Sequence, residues 1–262
     1  MEGQSGFAPG ERPTLGGEAL CYSYLIGADG GSSRTRTWAA LNAGVLRSQR
    51  FGFRAHFEFD CQGETYPGSS HVEIHWGDGG QAYVTPVGER QVCVAVVSHL
   101  RSPRTFNSVI DSIPALRASL SRARQITPQR GAVTTTSSFH RVTRGNVALL
   151  GDASGTADAI TGEGLAMGFR QALLLSDSIA GGGLERYQAH HGDILRLPQQ
   201  MARVMLLMDR HPRLRARILA AFAARPDLFA MMLRVHLNEE RLPKVVLRHG
   251  AEFGRLLLSS AE

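Results

Sequence analysis

The stretch VALLGDASGTADAITGEGLAMGFRQALLLSDSI, residues 147–179, decides the fold. Its first four residues form an apolar run that predicts a short buried strand. Gly151 and Asp152 follow at once, and a loop of small residues leads to Gly162 and Gly164. The apolar segment that begins there predicts a helix. The order of strand, acidic turn, glycine turn and helix is typical of a site that offers a carboxylate to sugar hydroxyls and backbone N–H groups to a ligand.

A second stretch, YLIGADGGSSRTR at residues 24–36, matches the first. A strand-like run ends in Asp29 and Gly30, as the downstream run ends in Gly151-Asp152. Arg36 lies one helical turn further on, where it can reach a phosphate or clamp the loop. We expect the two acidic turns to close around one ligand.

The bulk composition describes an ordinary globular protein. The 262 residues are 43% hydrophobic and 20% charged, and the net charge is +6. The polar N-terminus has no signal-peptide core, and no apolar run approaches the roughly 18 residues that span a bilayer, so we expect a cytoplasmic protein. Arginines give most of the charge without interleaved aromatics, which predicts no nucleic-acid partner. The charge suits an anionic cofactor or a membrane surface equally well, and a solvated basic face without a partner is the preferred interpretation. Three distant cysteines form no disulfide framework.

The middle of the chain has the two-residue period of half-buried strands. Residues 51–59 alternate apolar and polar side chains, and three further strands are predicted at 71–76, 82–87 and 92–97. Residues 50–98 therefore predict a mostly antiparallel sheet. Residues 19–26 predict another buried strand, and residues 33–41 a short helix.

The rest of the chain predicts helices and one more strand. Residues 106–124 predict two helices interrupted at Pro114, and residues 129–139 predict a strand. Residues 186–262 are expected to be helical throughout, with Pro198, Pro212, Pro226 and Pro243 marking breaks between helices. The fold class predicted from this order is mixed α/β.

The two acidic motifs resemble those of the p-hydroxybenzoate hydroxylase-type flavoproteins. GADGGSSRTR at residues 27–36 is similar to their DG motif, and GDASG at residues 151–155 followed by GEG is similar to their GD motif. The resemblance implies that Asp152 binds the ribitol of FAD and that the glycine turn lies along the isoalloxazine ring. The cofactor-binding residues that it implies are Asp29, Gly30, Arg36, Gly151, Asp152, Gly162, Glu163, Gly164 and Leu165.

One branch of this superfamily is a better match than the others. Aromatic hydroxylases usually carry His at the place of Gly155 and Pro at the place of Ala159, and this chain has neither. The segment DAITGEGL resembles the geranylgeranyl reductase-like branch more closely, as do the strands around Tyr83. The resemblance implies an oxidoreductase of the reductase, dehydrogenase or monooxygenase type, with reductase or dehydrogenase preferred over hydroxylase. It also implies an apolar small-molecule substrate, and NAD(P)H or another electron donor. Tyr83 and His75 are the predicted substrate-pocket residues, and no catalytic residue is named.

One expected part of the family pattern is missing. Family members begin with a βαβ unit bearing GxGxxG, which holds the ADP half of FAD, and no such pattern precedes Leu25. We expect either a fragment of a longer protein or a chain that is completed by a partner chain, which would supply this unit. The alternative is a truncated, non-catalytic relative that binds a lipid or protein partner without stable FAD.

The implied fold is a partial FAD-binding Rossmann-like domain with an insertion. Residues 1–48 and 128–185 would form the FAD-binding part, residues 49–127 the substrate-binding β-sheet, and residues 186–262 a C-terminal helical region.

Weaker signals concern metals and nucleophiles. His71, Glu73 and His75 share one face of a predicted strand, which is compatible with a metal site; a polar sheet face is the preferred interpretation, and no metal is predicted. Ser154 has no evident base partner and no nucleophile elbow, which argues against a hydrolase. The pair His190-His191 is expected on a solvated helix surface.

Overall fold

The protein is described by a computed structural model that covers residues 14–15, 18–19, 21–59, 70–99, 105–237 and 239–259. These residues form helices and both parallel and antiparallel strands, so the predicted mixed α/β class is confirmed. The chain divides into two compact units, residues 1–192 and 193–262. The sequence-based domain boundaries stay a prediction.

The secondary-structure elements are numbered in chain order. The strands are β1 (Thr14–Leu15), β2 (Glu18–Ala19), β3 (Leu25–Gly27), β4 (Gly44–Phe59), β5 (Glu73–Gly77), β6 (Gly80–Pro86), β7 (Gln91–His99), β8 (Ala123–Gln125), β9 (Arg130–Phe139), β10 (Thr143–Arg144), β11 (Val147–Leu149) and β12 (Gly155–Thr156). The helices are α1 (Arg34–Trp38), α2 (Phe106–Asp111), α3 (Pro114–Leu120), α4 (Gly164–Ala180), α5 (Glu185–Arg210), α6 (Pro212–Ala224), α7 (Pro226–His236) and α8 (Leu242–Ser259). Two 3₁₀ turns span Gly151–Ala153 and Ala159–Thr161.

The larger sheet is antiparallel, in the order β12-β9-β4-β7-β6-β5, with β8 beside the end of β4. The alternation predicted for residues 51–59 is confirmed, because Ala55, Phe57 and Phe59 point inward and are buried. Valines of β6 and β7 join them, and α2 and α3 cover this face of the sheet through Phe106 and Leu116. These buried side chains form the hydrophobic core beneath the larger sheet.

The smaller sheet has the order β10-β11-β3, and β3 runs parallel to β11. Leu25 lies beside Val147, and Gly27 beside Leu149. The two acidic turns therefore leave neighbouring strands in the same direction. The single buried strand predicted over residues 19–26 is wrong in extent: Leu25 and Ile26 pair with β11, Ala19 belongs to β2, and Tyr22 is exposed.

The short helix predicted over residues 33–41 is confirmed as α1. Ser33 caps it, because its Oγ accepts a hydrogen bond of 2.9 Å from the backbone N–H of Arg36. The predicted break between α2 and α3 is also confirmed, with Pro114 at the start of α3, where the missing N–H costs nothing.

The C-terminal region is helical as expected, but its prolines do not all mark breaks. Pro212 and Pro226 begin α6 and α7, whereas Pro198 lies inside α5. A proline inside a helix costs roughly 3 kcal/mol; in this helix of 26 residues, buried neighbours such as Leu195 and Met201 offset that cost. Within the described ranges, no helix is both long and apolar enough to cross a membrane.

Candidate functional site

A cavity of about 720 Å³ lies where the two acidic turns, the start of α4 and the strands β4 and β9 meet. The first acidic turn lines it through Gly31 and Ser32, and the sheet lines it through residues such as Thr134 and Thr135. Six of the nine predicted cofactor-binding residues line this cavity: Arg36, Asp152, Gly162, Glu163, Gly164 and Leu165. The structure thus brings both motifs to one concave site.

Asp29, Gly30 and Gly151 do not line the cavity. Asp29 instead orders the turn and the start of α1, because its carboxylate accepts hydrogen bonds from Ser33 Oγ at 2.5 Å and from the backbone N–H of Thr35 at 3.0 Å. Partial burial acts to raise the pKa of Asp29, but these hydrogen bonds outweigh it and leave the pKa below its ordinary value. The carboxylate of Asp29 therefore holds the turn and the start of α1 in place without lining the cavity.

Arg36 joins the two acidic turns to each other. It is 9% exposed, and its guanidinium donates to the carbonyl of Gly31 at 2.7 Å and to that of Ala153 at 2.9 Å. A third hydrogen bond goes to Asn42, and the guanidinium stacks 4.4 Å from the ring centre of Phe139. Of the two roles open from the sequence, the structure shows the clamp.

Asp152 is exposed in the cavity, directly after β11. Gly151 has a φ of +61°, which an L side chain rarely adopts, and its N–H donates to Gln171 Oε1 at 2.7 Å. This bond ties the acidic turn to α4. The turn thus presents one carboxylate to the cavity while its own backbone is held by protein groups.

The glycine turn forms an open wall of the cavity. Gly162 ends a 3₁₀ turn with a φ of +68°. A Cβ added at Gly162 or Gly164 would meet no atom within 4 Å, so any side chain there would enter the space of the cavity. The N-terminus of α4, a helix of 17 residues, opens at the same wall and favours negative charge nearby.

The two predicted substrate-pocket residues do not line this cavity. The hydroxyl of Tyr83 donates to the carbonyl of Ile160 at 2.6 Å, which anchors the loop before the glycine turn. His75 contacts Glu73 at 2.9 Å on β5. A substrate-contacting role for Tyr83 and His75 stays a prediction. Among the described residues, no group of three or more His, Cys, Asp or Glu side chains could hold a metal ion.

Sequence reasoning missed a buried hydrogen-bond network behind the acidic turn. Ser154 and His191 are 0% and 4% exposed, and Ser154 Oγ lies 2.9 Å from His191 Nε2. Ser154 Oγ also donates to the carbonyl of Gly151 at 2.8 Å, and Gln171 lies beside both residues. The expectations of a solvated His191 and of a Ser154 without a base partner were therefore wrong.

The signal for this burial was present in the sequence. Leu184, Tyr187, His191 and Leu195 recur every three or four residues, and all four are buried on one face of the chain around α5. The Ser154–His191 pair is sealed from solvent, so it orders the turn rather than attacking a substrate.

The burial of His191 predicts an acid-sensitive fold. Desolvation lowers its pKa from 6.5 to about 4. Because the folded pKa lies below the unfolded one, stability is complete above about pH 6.5 and is lost as the pH falls toward 4, by about 3 kcal/mol. Urea unfolding at about pH 7 and about pH 4.5 measures this loss.

A matched pair of variants isolates this contribution. His191→Gln should flatten the acid-side loss of stability, whereas the control His190→Gln, at an exposed neighbouring position, should keep it. Equal pH profiles for the two variants would contradict the assignment.

The comparisons with known proteins establish the fold. No protein-family model and no curated protein matches the sequence. Solved structures do match. The Diels-Alderase PyrE3 of pyrroindomycin biosynthesis is 19% identical over 81% of this chain and 49% of its own, with a TM-score of 0.61. The flavin-dependent brominase Bmp2 is 17% identical over 83% of this chain and 58% of its own, with a TM-score of 0.59.

A third match is 2-methyl-3-hydroxypyridine-5-carboxylic acid oxygenase, 19% identical over 77% of this chain and 59% of its own, with a TM-score of 0.59. The chain spans about half the length of these structures. It has the fold of part of these proteins, among them a flavin-dependent enzyme.

Proposed function

We propose that this chain is the flavin-facing and substrate-binding part of an FAD-dependent oxidoreductase. The observation that carries the proposal is that Asp152, the bare glycine turn and Gly31 line one cavity. The chemistry of these groups fits the ribitol and ring half of FAD, because a carboxylate accepts hydrogen bonds from hydroxyls and a wall without Cβ atoms admits a flat ring. Flavin-dependent halogenases among the structural matches support the same class of cofactor.

When bound, the flavin supplies the redox chemistry, and the protein supplies binding and electrostatics. Asp152 accepts hydrogen bonds from the ribitol chain. The N-terminus of α4 stabilises negative charge that develops on the ring, a contribution of roughly 0.3–1 kcal/mol when exposed. Arg36 keeps the two acidic turns at a fixed separation, so the cavity is shaped before the ligand arrives.

The proposed substrate is an apolar small molecule, with reduction or dehydrogenation of the geranylgeranyl reductase-like type preferred over hydroxylation and NAD(P)H as donor. Apolar side chains on the cavity wall support this substrate class: Leu46, Ala132, Val133, Leu165 and Met167. They share the wall with hydroxyl groups such as that of Thr134, which can orient a polar end of the substrate.

The ADP half of FAD requires a nucleotide-binding unit, which we propose is supplied by further polypeptide, in another chain or in a longer form of this one. Two features support this. Leu165, Phe169 and Leu173 form an apolar stripe on α4, exposed by 79%, 67% and 70%. On β3, Ile26 directs its N–H and C=O away from β11, toward the outer edge of the parallel sheet.

Titration with FAD tests the proposed function. The protein should bind FAD with shifted flavin absorbance, and Asp152→Asn should weaken binding by roughly ten- to a hundredfold, because a hydrogen bond to a charged acceptor contributes about 1.5–3 kcal/mol. The control is Asp177→Asn, at an exposed position of α4, which should bind like the wild type. A protein that binds neither FAD nor FMN would favour the non-catalytic alternative.

A further inference from the structure

The second unit of the chain concentrates the positive charge. Residues 193–262 contain twelve Lys and Arg against seven Asp and Glu, a net charge of +5. The net charge of the whole chain is +6. Nothing in the proposed flavin chemistry uses this charge.

One helix of this unit exposes a stripe of large apolar side chains. Phe229, Leu233 and Leu237 lie four residues apart, so they share one face of α7 and its C-terminal end. They are 48%, 45% and 57% exposed, whereas Leu228 and Val235 on the other side are buried. About half of each of these side chains is therefore left exposed on this face of α7.

The next helix adds cations to apolar surface. Lys244, Leu247 and Arg248 are spaced three and four residues apart on one face of α8. Leu247 is 91% exposed, and both cations are exposed. Aromatic contacts join the three helices. The ring centre of Phe222 on α6 lies 5.5 Å from that of Phe229 on α7 and 5.7 Å from that of Phe253 on α8.

Several of these cations have no internal acidic partner. Arg225 pairs with Asp227 and Glu252, and Arg196 pairs with Asp193. By contrast, no ion pair within the described residues involves the four exposed cations Arg234, Arg241, Lys244 and Arg248. Glu239 and Glu240 lie in the connection between the helices and reduce the local charge only in part.

We propose that the exposed faces of α7 and α8 bind peripherally to an anionic lipid bilayer. We call these two faces together the α7–α8 surface, and its members are Phe229, Leu233, Arg234, Leu237, Arg241, Lys244, Leu247 and Arg248. Exposed apolar side chains beside unneutralised cations are what an interfacial helix needs, because the apolar groups enter the acyl boundary while the cations meet anionic headgroups. A second copy of the chain would bring like charges together, and a nucleic acid would leave the apolar stripes exposed.

Co-sedimentation with lipid vesicles tests the proposal on the full chain. We expect binding to vesicles of phosphatidylcholine mixed with phosphatidylglycerol, weak binding to phosphatidylcholine alone, and weaker binding as salt rises. Lys244→Gln should lower the partition coefficient about fivefold, because each basic residue near an anionic surface contributes about 1 kcal/mol. Leu247→Asp should abolish binding, with an unchanged circular dichroism spectrum because Leu247 is exposed.

Two matched variants serve as controls. Leu173→Asp replaces an apolar residue that is 70% exposed on α4, and Arg186→Gln neutralises an exposed cation in the first unit; both should bind vesicles like the wild type. The proposal is overturned if anionic vesicles bind no better than neutral ones, or if Leu247→Asp binds like the wild type. It is also overturned if Leu247→Asp only dissociates a dimer, or if the surface binds duplex DNA and not vesicles. FAD titration of the same variants tests the proposed function separately, because its result does not depend on whether the vesicles bind.

Discussion

Replacement of Gly164 by Ala is expected to weaken flavin binding at least tenfold without destabilising the protein. The added Cβ meets no protein atom within 4 Å, so nothing in the fold has to move. It would enter the cavity at the wall along which we propose the ring lies. If the added Cβ displaces the flavin ring and the binding free energy weakens by about 1.4 kcal/mol, the affinity falls tenfold. Fluorescence titration with FMN measures the effect, and Gly164→Leu should abolish binding.

The matched control for this variant lies one helical turn away. A Cβ at Gly168 also meets nothing within 4 Å, but Gly168 does not line the cavity. Both Gly164→Ala and Gly168→Ala should raise the free energy of unfolding by up to about 1 kcal/mol, because Ala favours the helix. Only the first should lose flavin affinity. Equal flavin affinity for the two variants would contradict the proposal that the flavin ring lies along this wall.

Replacement of Arg36 by Ala is expected to be the most destabilising of the proposed substitutions. It removes three hydrogen bonds and the stacking on Phe139, and it leaves the carbonyls of Gly31 and Ala153 without a donor. We expect a loss of roughly 3–5 kcal/mol in the free energy of unfolding. Urea unfolding measures this loss. Flavin affinity should fall as well, since the two acidic turns lose their tether.

Two further variants distinguish the clamp from a general charge effect. Arg34→Ala, at an exposed position of the same helix, should change stability by less than about 0.5 kcal/mol. Arg36→Lys keeps the charge but cannot donate to two carbonyls in a fork, so it should recover only a small part of the lost stability. Full rescue by Lys would show that charge, and not the clamp, matters at this position.

The parts of the fold that the sequence predicts well depend on local periodicity. The two-residue alternation before Phe59 gave the inward face of β4, and the apolar run before Asp152 gave β11, because side-chain direction in a strand follows directly from position. The pairing of β9 with β4 could not be predicted in this way, since residues in register there are far apart in the chain and no local signal records the partner.

In the site too, the sequence predicts where a residue lies along its strand or helix but not which distant groups it contacts. Asp152 at the end of a strand lines the cavity, whereas Asp29 at an equivalent position turns its carboxylate toward Ser33 and Thr35. An acidic residue after a strand can either face the cavity or accept hydrogen bonds from the helix that follows. Which of the two occurs depends on the hydrogen-bond donors that this helix supplies. The polarity of the pair His190-His191 predicts exposure, whereas the helical spacing of His191 with Tyr187 and Leu195 predicts the burial that the structure shows.

The most direct test of the central claim is an amide chemical-shift titration of the chain with FMN, which carries the ring and ribitol but not the adenosine half. We predict saturable shifts at Gly31, Ser32 and residues 162–165, with no shifts at the distant turn around Gly88. Shifts confined to other regions, or none at saturating FMN, would contradict a flavin site between the two acidic turns.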